Sequence, residues 1–163
     1  NLMEIQEMDI LTVDQGLIVH QVNRKGVMGK GLALQIAQKW PEVKRRYLEH
    51  CRSGRRIRLG DVFSVKVGPG LYVVNLFGQD DYGNDPDICY TSYPALVDGF
   101  RKIAEVDGSH KIHIPFQLGC GNANGNWTVV SALIQQILPS AIICRKASTP
   151  VLAAVGLSQN AIT

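Results

Sequence analysis

The chain has 163 residues, 45% of them hydrophobic, a mean hydropathy of +0.01 and a net charge of +3. This length bounds a single domain with a full-sized core. The composition excludes a disordered chain, and no apolar run is long enough to span a bilayer.

Cys51, Cys89, Cys120 and Cys144 show no C-x-x-C pairing. They read as free thiols of a reducing compartment, so a cytoplasmic location is expected. Neither Cys nor His spacing repeats a metal-ligand pattern, so no metal site is expected. The first residues lack a basic region followed by an apolar one, so no signal peptide is visible.

Met3–Glu7 is a weak strand candidate, followed by Met8-Asp9-Ile10-Leu11 and a turn at Asp14-Gln15-Gly16. Leu17–Val22 is short, apolar and β-branched, which reads as a buried strand. A loop with Asn23, Gly26, Gly29 and Gly31 follows. Apolar residues at 32, 33, 36, 37 and 40 then take helical spacing. Pro41 ends that helix and opens the next, to Arg52. Asp61–Val67 alternates as a strand, Gly68-Pro69-Gly70 turns, and Leu71–Phe77 returns as a nearly all-apolar, central strand.

Gly78–Asp87, with four Asp, is too long for a tight turn and reads as a lid. Thr91-Ser92-Tyr93-Pro94 introduces a helix through Val106. Lys111–Pro115 is a strand, with His113 facing away from Ile112 and Ile114. A second glycine loop runs from Gly119 to Trp127. A helix over Thr128–Leu138 and a strand over Ala141–Cys144 complete the pattern.

Strands alternating with helices predict an α/β sandwich on a mixed sheet. Two strand–glycine loop–helix units open at the carboxyl ends of their strands, where open α/β sheets bind ligands. Two such loops facing one another make a cleft of N–H donors suited to a diphosphate. A Rossmann fingerprint needs G-x-G-x-x-G directly after the strand, and a Walker loop needs Gly-Lys-Ser/Thr after its spacer. Gly29-Lys30-Gly31 supplies neither.

Asn23, then Gly26–Ala33 and Trp40-Pro41, resembles the first ligand loop of macrodomains. The resemblance is to the branch that processes ADP-ribose-1″-phosphate and related ADP-ribose derivatives. Gly119-Cys120-Gly121, then Gly125 and Trp127, resembles that branch's second loop. Asn75–Gln79 and Tyr90–Tyr93 also sit where the branch has similar residues. The match covers about Met3 to Arg145, so residues 3–146 are expected to form one domain and 147–163 a tail.

The resemblance implies a three-layer α/β/α sandwich with a central six-stranded mixed sheet. It also implies binding of ADP-ribose, or of an ADP-ribosylated macromolecule, without cofactor and without a membrane. By it, Asp9 accepts from the adenine amino group and Ile10 donates its N–H nearby. Asn23 approaches the distal ribose; Gly29, Lys30 and Gly31 border the ribose and phosphate. Gly119, Cys120, Gly121, Asn122 and Ala123 wrap the diphosphate. An ionised Asp is acceptor-only, which suits an amino group. Asp9 equally suits a cap or turn, and Asn23 equally suits pinning its own loop. Cys120 has no base near it in sequence, which argues against a nucleophile, and His20 and His113 read as core residues of their strands.

Relatives that cleave ADP-ribose from protein carboxylates use a Lys just after the strand matching Tyr72–Phe77 and an acid in the second loop. Here those places hold Gly78-Gln79 and Ala123, Asn124 and Asn126. The remaining catalytic candidates are Asn23, Asn126 and Asp80, of which only Asp80 is a carboxylate. Binding with weak hydrolysis of ADP-ribose-1″-phosphate or ADP-ribosyl esters is therefore expected. A second reading starts from region 39–58, where eight basic residues meet only Glu42 and Glu49. That region is either a solvated helix face or a surface contacting RNA or poly(ADP-ribose).

Overall fold

The computed structural model describes residues 3–106 and 108–147. The tail expected from 147 onward lies outside the described residues beyond its first position.

Six strands form one sheet: β1 (Glu4–Glu7), β2 (Gly16–Asn23), β3 (Val62–Gly68), β4 (Leu71–Gln79), β5 (Ile112–Pro115) and β6 (Ile142–Arg145). Their order is β1-β6-β5-β2-β4-β3, and only the β3–β4 hairpin is antiparallel. Between them run α1 (Gly31–Lys39), α2 (Pro41–Arg52), α3 (Tyr93–Ala104) and α4 (Trp127–Ile137).

β2 lies in the middle of the sheet, and seven of its eight residues are buried. Its largely apolar sequence follows from that place, because a parallel strand covered on both faces has no side to turn to water. Successive side chains point to opposite faces and build two cores. Ile18 and Val22 of β2 and Val73 and Phe77 of β4 pack with Ile36 of α1 and Val43 and Tyr47 of α2. Leu17, Val19, Val74 and Leu76 pack on the other face with Leu96 and Phe100 of α3 and Val130 and Ile134 of α4. This is the three-layer α/β/α sandwich on a mixed six-stranded sheet.

Two departures from the sequence reading bear on the site. β4 does not stop at Phe77 but runs on to Gln79, because Asn23 of β2 pairs with Gln79 across a bulge. Gly78 ends no strand here; its place is set by Gln21, whose side chain occupies the space a Cβ would need. Residues Ile10–Thr12 form a 3-10 turn, with Asp9 as its cap.

His20 and His113 are core residues. Asn75 Nδ2 donates to Phe63 O at 3.0 Å, which leaves Asn75 Oδ1 as an acceptor 2.6 Å from His20 Nε2. The proton therefore sits on Nε2, and His20 Nδ1 is buried without a partner.

Candidate functional site

The carboxyl ends of β2, β4 and β5 open into a cavity of about 450 Å³, within the range of small-molecule sites. Three loops and the strand ends line it.

The first loop, residues 24–30, is pinned from inside. Asn23 Nδ2 donates to Val27 O at 2.8 Å, and Asn23 Oδ1 accepts from Lys25 N at 2.9 Å. The Tyr47 hydroxyl lies 2.6 Å from Asn23 O and 3.0 Å from Asn23 Oδ1. Asn23 lines the cavity, but most of its amide is spent on its own loop. Burial raises the Tyr47 pKa, so the hydroxyl stays a donor.

α1 begins at this loop with no side-chain cap. Gly29, Lys30 and Gly31 therefore present the start of a helix to the cavity, where orphan N–H groups and the dipole favour an anion. The helix that follows the second loop differs. Asn126 Oδ1 accepts from Thr128 N at 2.8 Å and Val129 N at 3.3 Å, so the start of α4 is closed by its own cap.

The second loop is held from behind. Thr91 Oγ1 donates to Gly119 O at 2.7 Å, and Tyr90 N donates to Ala123 O at 2.8 Å. Gly119 has φ +73°, a conformation that glycine adopts without a Cβ penalty. Among the described residues, the N–H groups of Gly121, Asn122 and Ala123 have no hydrogen-bond partner, and all three residues line the cavity. The two loops meet where a Cβ on Gly31 would stand 3.5 Å from Asn122 Nδ2.

The lid, residues 80–88, closes one side through Tyr82, Gly83 and Asn84. Lys30 Nζ donates to Asn84 Oδ1 across the mouth. Asn124 Nδ2 reaches Asp85 O at 3.0 Å and Ile88 O at 2.8 Å, so this second-loop side chain serves the lid.

Gln21 and Gln79, two residues not singled out as binding candidates from sequence, line the cavity at the strand ends. Gln21 Nε2 donates to Gln79 Oε1 at 2.8 Å and to Thr91 Oγ1 at 3.0 Å, while Gln21 Oε1 is buried without a partner. The available signal was a polar residue inside the apolar run 17–22, just before the loop.

Asn23, Gly29, Lys30, Gly31, Gly119, Gly121, Asn122 and Ala123 thus come together around one cavity. The other candidates stand outside its lining. Asp9 Oδ1 accepts from Leu11 N at 3.0 Å and its Oδ2 lies 3.5 Å from Lys146 Nζ, while Ile10 is buried in the core. The Cys120 thiol turns toward Leu118 O at 3.3 Å, and burial pushes its pKa up to about 11, so it stays a neutral thiol. Asp80 pairs with Arg24, Nη2 to Oδ1 at 2.7 Å. Asn126 is the α4 cap.

No carboxylate lines the cavity among the described residues. His20 does line it, but burial lowers its pKa to about 4 and Asn75 engages its protonated nitrogen. A smaller cavity of about 170 Å³ lies at the opposite strand ends, beside Leu17, Ile112 and His110.

No family model matches the chain. It is 30% identical over 122 residues to a DNA ADP-ribosyl glycohydrolase of Mycobacterium tuberculosis, covering 73% of this chain and 34% of that protein. It is 32% identical over 124 residues to a DNA ADP-ribosyl glycohydrolase of Thermus aquaticus, covering 74% of this chain and 33% of that one. The chain spans about a third of the length of these curated relatives. Among solved structures, the macrodomain of Mycobacterium tuberculosis DarG superposes with a TM-score of 0.70 at 25% identity, over 91% of this chain and 99% of that one. A Bacteroides thetaiotaomicron protein of unknown function superposes at 0.77 with 28% identity, over 90% and 99%. The chain belongs to the macrodomains.

Proposed function

We propose that this protein binds ADP-ribose, free or as the ADP-ribosyl group of a macromolecule, and holds it far better than it cleaves it. The observation that carries the reading is the cavity's wall of N–H groups. Gly121, Asn122 and Ala123 present unspent donors opposite the uncapped start of α1, which suits a diphosphate without any Arg or Lys. The curated relatives are named as ADP-ribosyl glycohydrolases, which makes an ADP-ribosyl group their substrate.

The weakness in cleavage follows from the lining. A positioned acid or base contributes about 10²–10⁴ in rate, and no carboxylate reaches this cavity. By the resemblance, Gly78-Gln79 and Ala123, Asn124 and Asn126 occupy the places where the hydrolysing relatives carry their reactive groups. ADP-ribose-1″-phosphate is the better candidate for slow turnover, because its phosphate brings ionisable oxygens beside the bond that breaks.

Calorimetry tests the binding: a micromolar dissociation constant for ADP-ribose, about −8 kcal/mol, is expected, with AMP far weaker. No heat at millimolar ADP-ribose refutes the reading. A single-turnover assay on ADP-ribose-1″-phosphate and on ADP-ribosylated glutamate should show slow turnover of the first and almost none of the second. Fast release from glutamate would expose a catalytic group missed here.

A further inference from the structure

The second glycine loop holds a strained residue that the cavity itself does not use. Asn124 has φ +61°, a left-handed conformation, and stands outside the cavity lining. Outside glycine this conformation carries a cost, and asparagine is among the residue types that bear it best. Such strain persists only where the surroundings hold it in place. Here two sets of bonds do so. Asn124 N donates to Gly121 O at 3.1 Å, closing the turn that carries the free N–H groups of Gly121, Asn122 and Ala123. Its side-chain nitrogen directs both hydrogens to the lid, one to Asp85 O at 3.0 Å and one to Ile88 O at 2.8 Å.

The backbone of this residue therefore shapes the anion wall, while its side chain grips the lid at two points. The gripped stretch follows directly on Tyr82, Gly83 and Asn84, the lid residues that line the cavity. Other contacts there are exposed or long. Lys30 Nζ donates to Asn84 Oδ1 in the open, and Asp85 N reaches the Tyr90 hydroxyl at 3.3 Å. The Arg24–Asp80 pair anchors only the start of the lid. The residue type fits both tasks. Glycine would take the same backbone without strain but would leave Asp85 O and Ile88 O without this donor. Aspartate would tolerate the backbone but would set an acceptor against two carbonyls.

We propose that Asn124 is a positioning residue that latches the lid to the diphosphate loop, so that a bound diphosphate holds the lid shut and slows its own release. Asn124 touches no ligand. A diphosphate on Gly121, Asn122 and Ala123 orders the turn, the turn fixes Asn124, and Asn124 fixes the carbonyls of Asp85 and Ile88. The coupling is reciprocal, so a seated lid also keeps the turn in the shape that receives the anion. The ligand side of this inference rests on the ADP-ribose reading of the cavity; the latch belongs to the free protein.

Two measurements on Asn124→Gly and Asn124→Asp test it. The first uses the free protein. Loss of two hydrogen bonds should let the amides of Asp85 and Ile88 exchange with solvent about tenfold faster in Asn124→Gly. Exchange in β2 and the urea midpoint should change little. The second follows ADP-ribose by stopped flow. Dissociation should quicken about tenfold in Asn124→Gly, while association rises by at most about twofold. Asn124→Asp keeps the backbone preference but loses the donors, so it should release ADP-ribose at least as fast as Asn124→Gly. Unchanged exchange at Asp85 and Ile88 overturns the latch, with or without ligand. Unchanged dissociation, equal increases in both rates, or an Asn124→Asp protein that behaves like the unaltered one overturns the coupling. Absence of ADP-ribose binding in the unaltered protein refutes the reading of the cavity and the coupling with it, while exchange still decides the latch.

Discussion

His20 makes the protein's stability depend on pH in a way that can be worked out beforehand. The ring is fully buried at the floor of the cavity, and its pKa falls from 6.5 to about 4. Burial is the larger cause; the Asn75 contact opposes it in part. Protonation would bury a second N–H at Nδ1, where there is no acceptor. The unfolded chain binds this proton from about pH 6.5 downward, whereas the folded chain resists until about 4. Stability is therefore complete above pH 6.5 and is lost as pH falls toward 4. At pH 5 the loss is about 2 kcal/mol, out of about 3 kcal/mol in all. Urea unfolding at pH 7.5 and pH 5 measures it. With a slope of about 2 kcal/mol per molar, the midpoint should drop by about 1 M from this group alone. His50 and His113 are also lowered by burial and add in the same direction, so a comparison with His20→Leu isolates the effect. The variant starts less stable, because Asn75 Oδ1 loses its donor, but its midpoint should change less with pH. Equal pH dependence of the two proteins refutes the argument.

The fold was legible because its signals are local and repeated. The apolar runs 17–22 and 71–77 announce central strands, and Pro41 marks the joint between two helices. The glycine loops identified most of the cavity wall, since free N–H groups need small residues around them. What sequence could not show is where a side chain spends its hydrogen bonds. Asn23 and Asn126 look alike on paper as polar loop residues. One ties its loop to Tyr47, and the other caps α4. Gln79 looked like the first residues of a lid and is the last residue of a strand, because pairing with β2 continues across a bulge that leaves no periodic mark. Asp9 was open between ligand and cap, and in this structure its carboxylate holds Leu11 N.

Gly121→Glu should leave the urea midpoint nearly unchanged, since a Cβ there meets open space, yet weaken ADP-ribose at least about a hundredfold. Gly119→Ala should lose about 1–2 kcal/mol in the same assay, because φ is +73° and the Cβ would stand 3.0 Å from Gln21 Oε1 and Thr91 Oγ1. Asn126→Asp should keep its helix cap and gain no hydrolysis in the single-turnover assay, because its carboxylate would sit on Thr128 N and Val129 N. Gln79→Lys is the substitution that should change the chemistry. Gly78 cannot carry a reactive side chain, because its Cβ would collide with Gln21. Position 79 lines the cavity, and Gln21 Oε1 beside it is buried and lacks a donor, so an ammonium at 79 gains a partner already in place. Release of ADP-ribose from modified glutamate should then rise by about 10²–10⁴, with ADP-ribose affinity little changed. An unchanged rate, in a variant that still binds ADP-ribose, would mean that an ammonium at position 79 does not supply the step that cleavage needs.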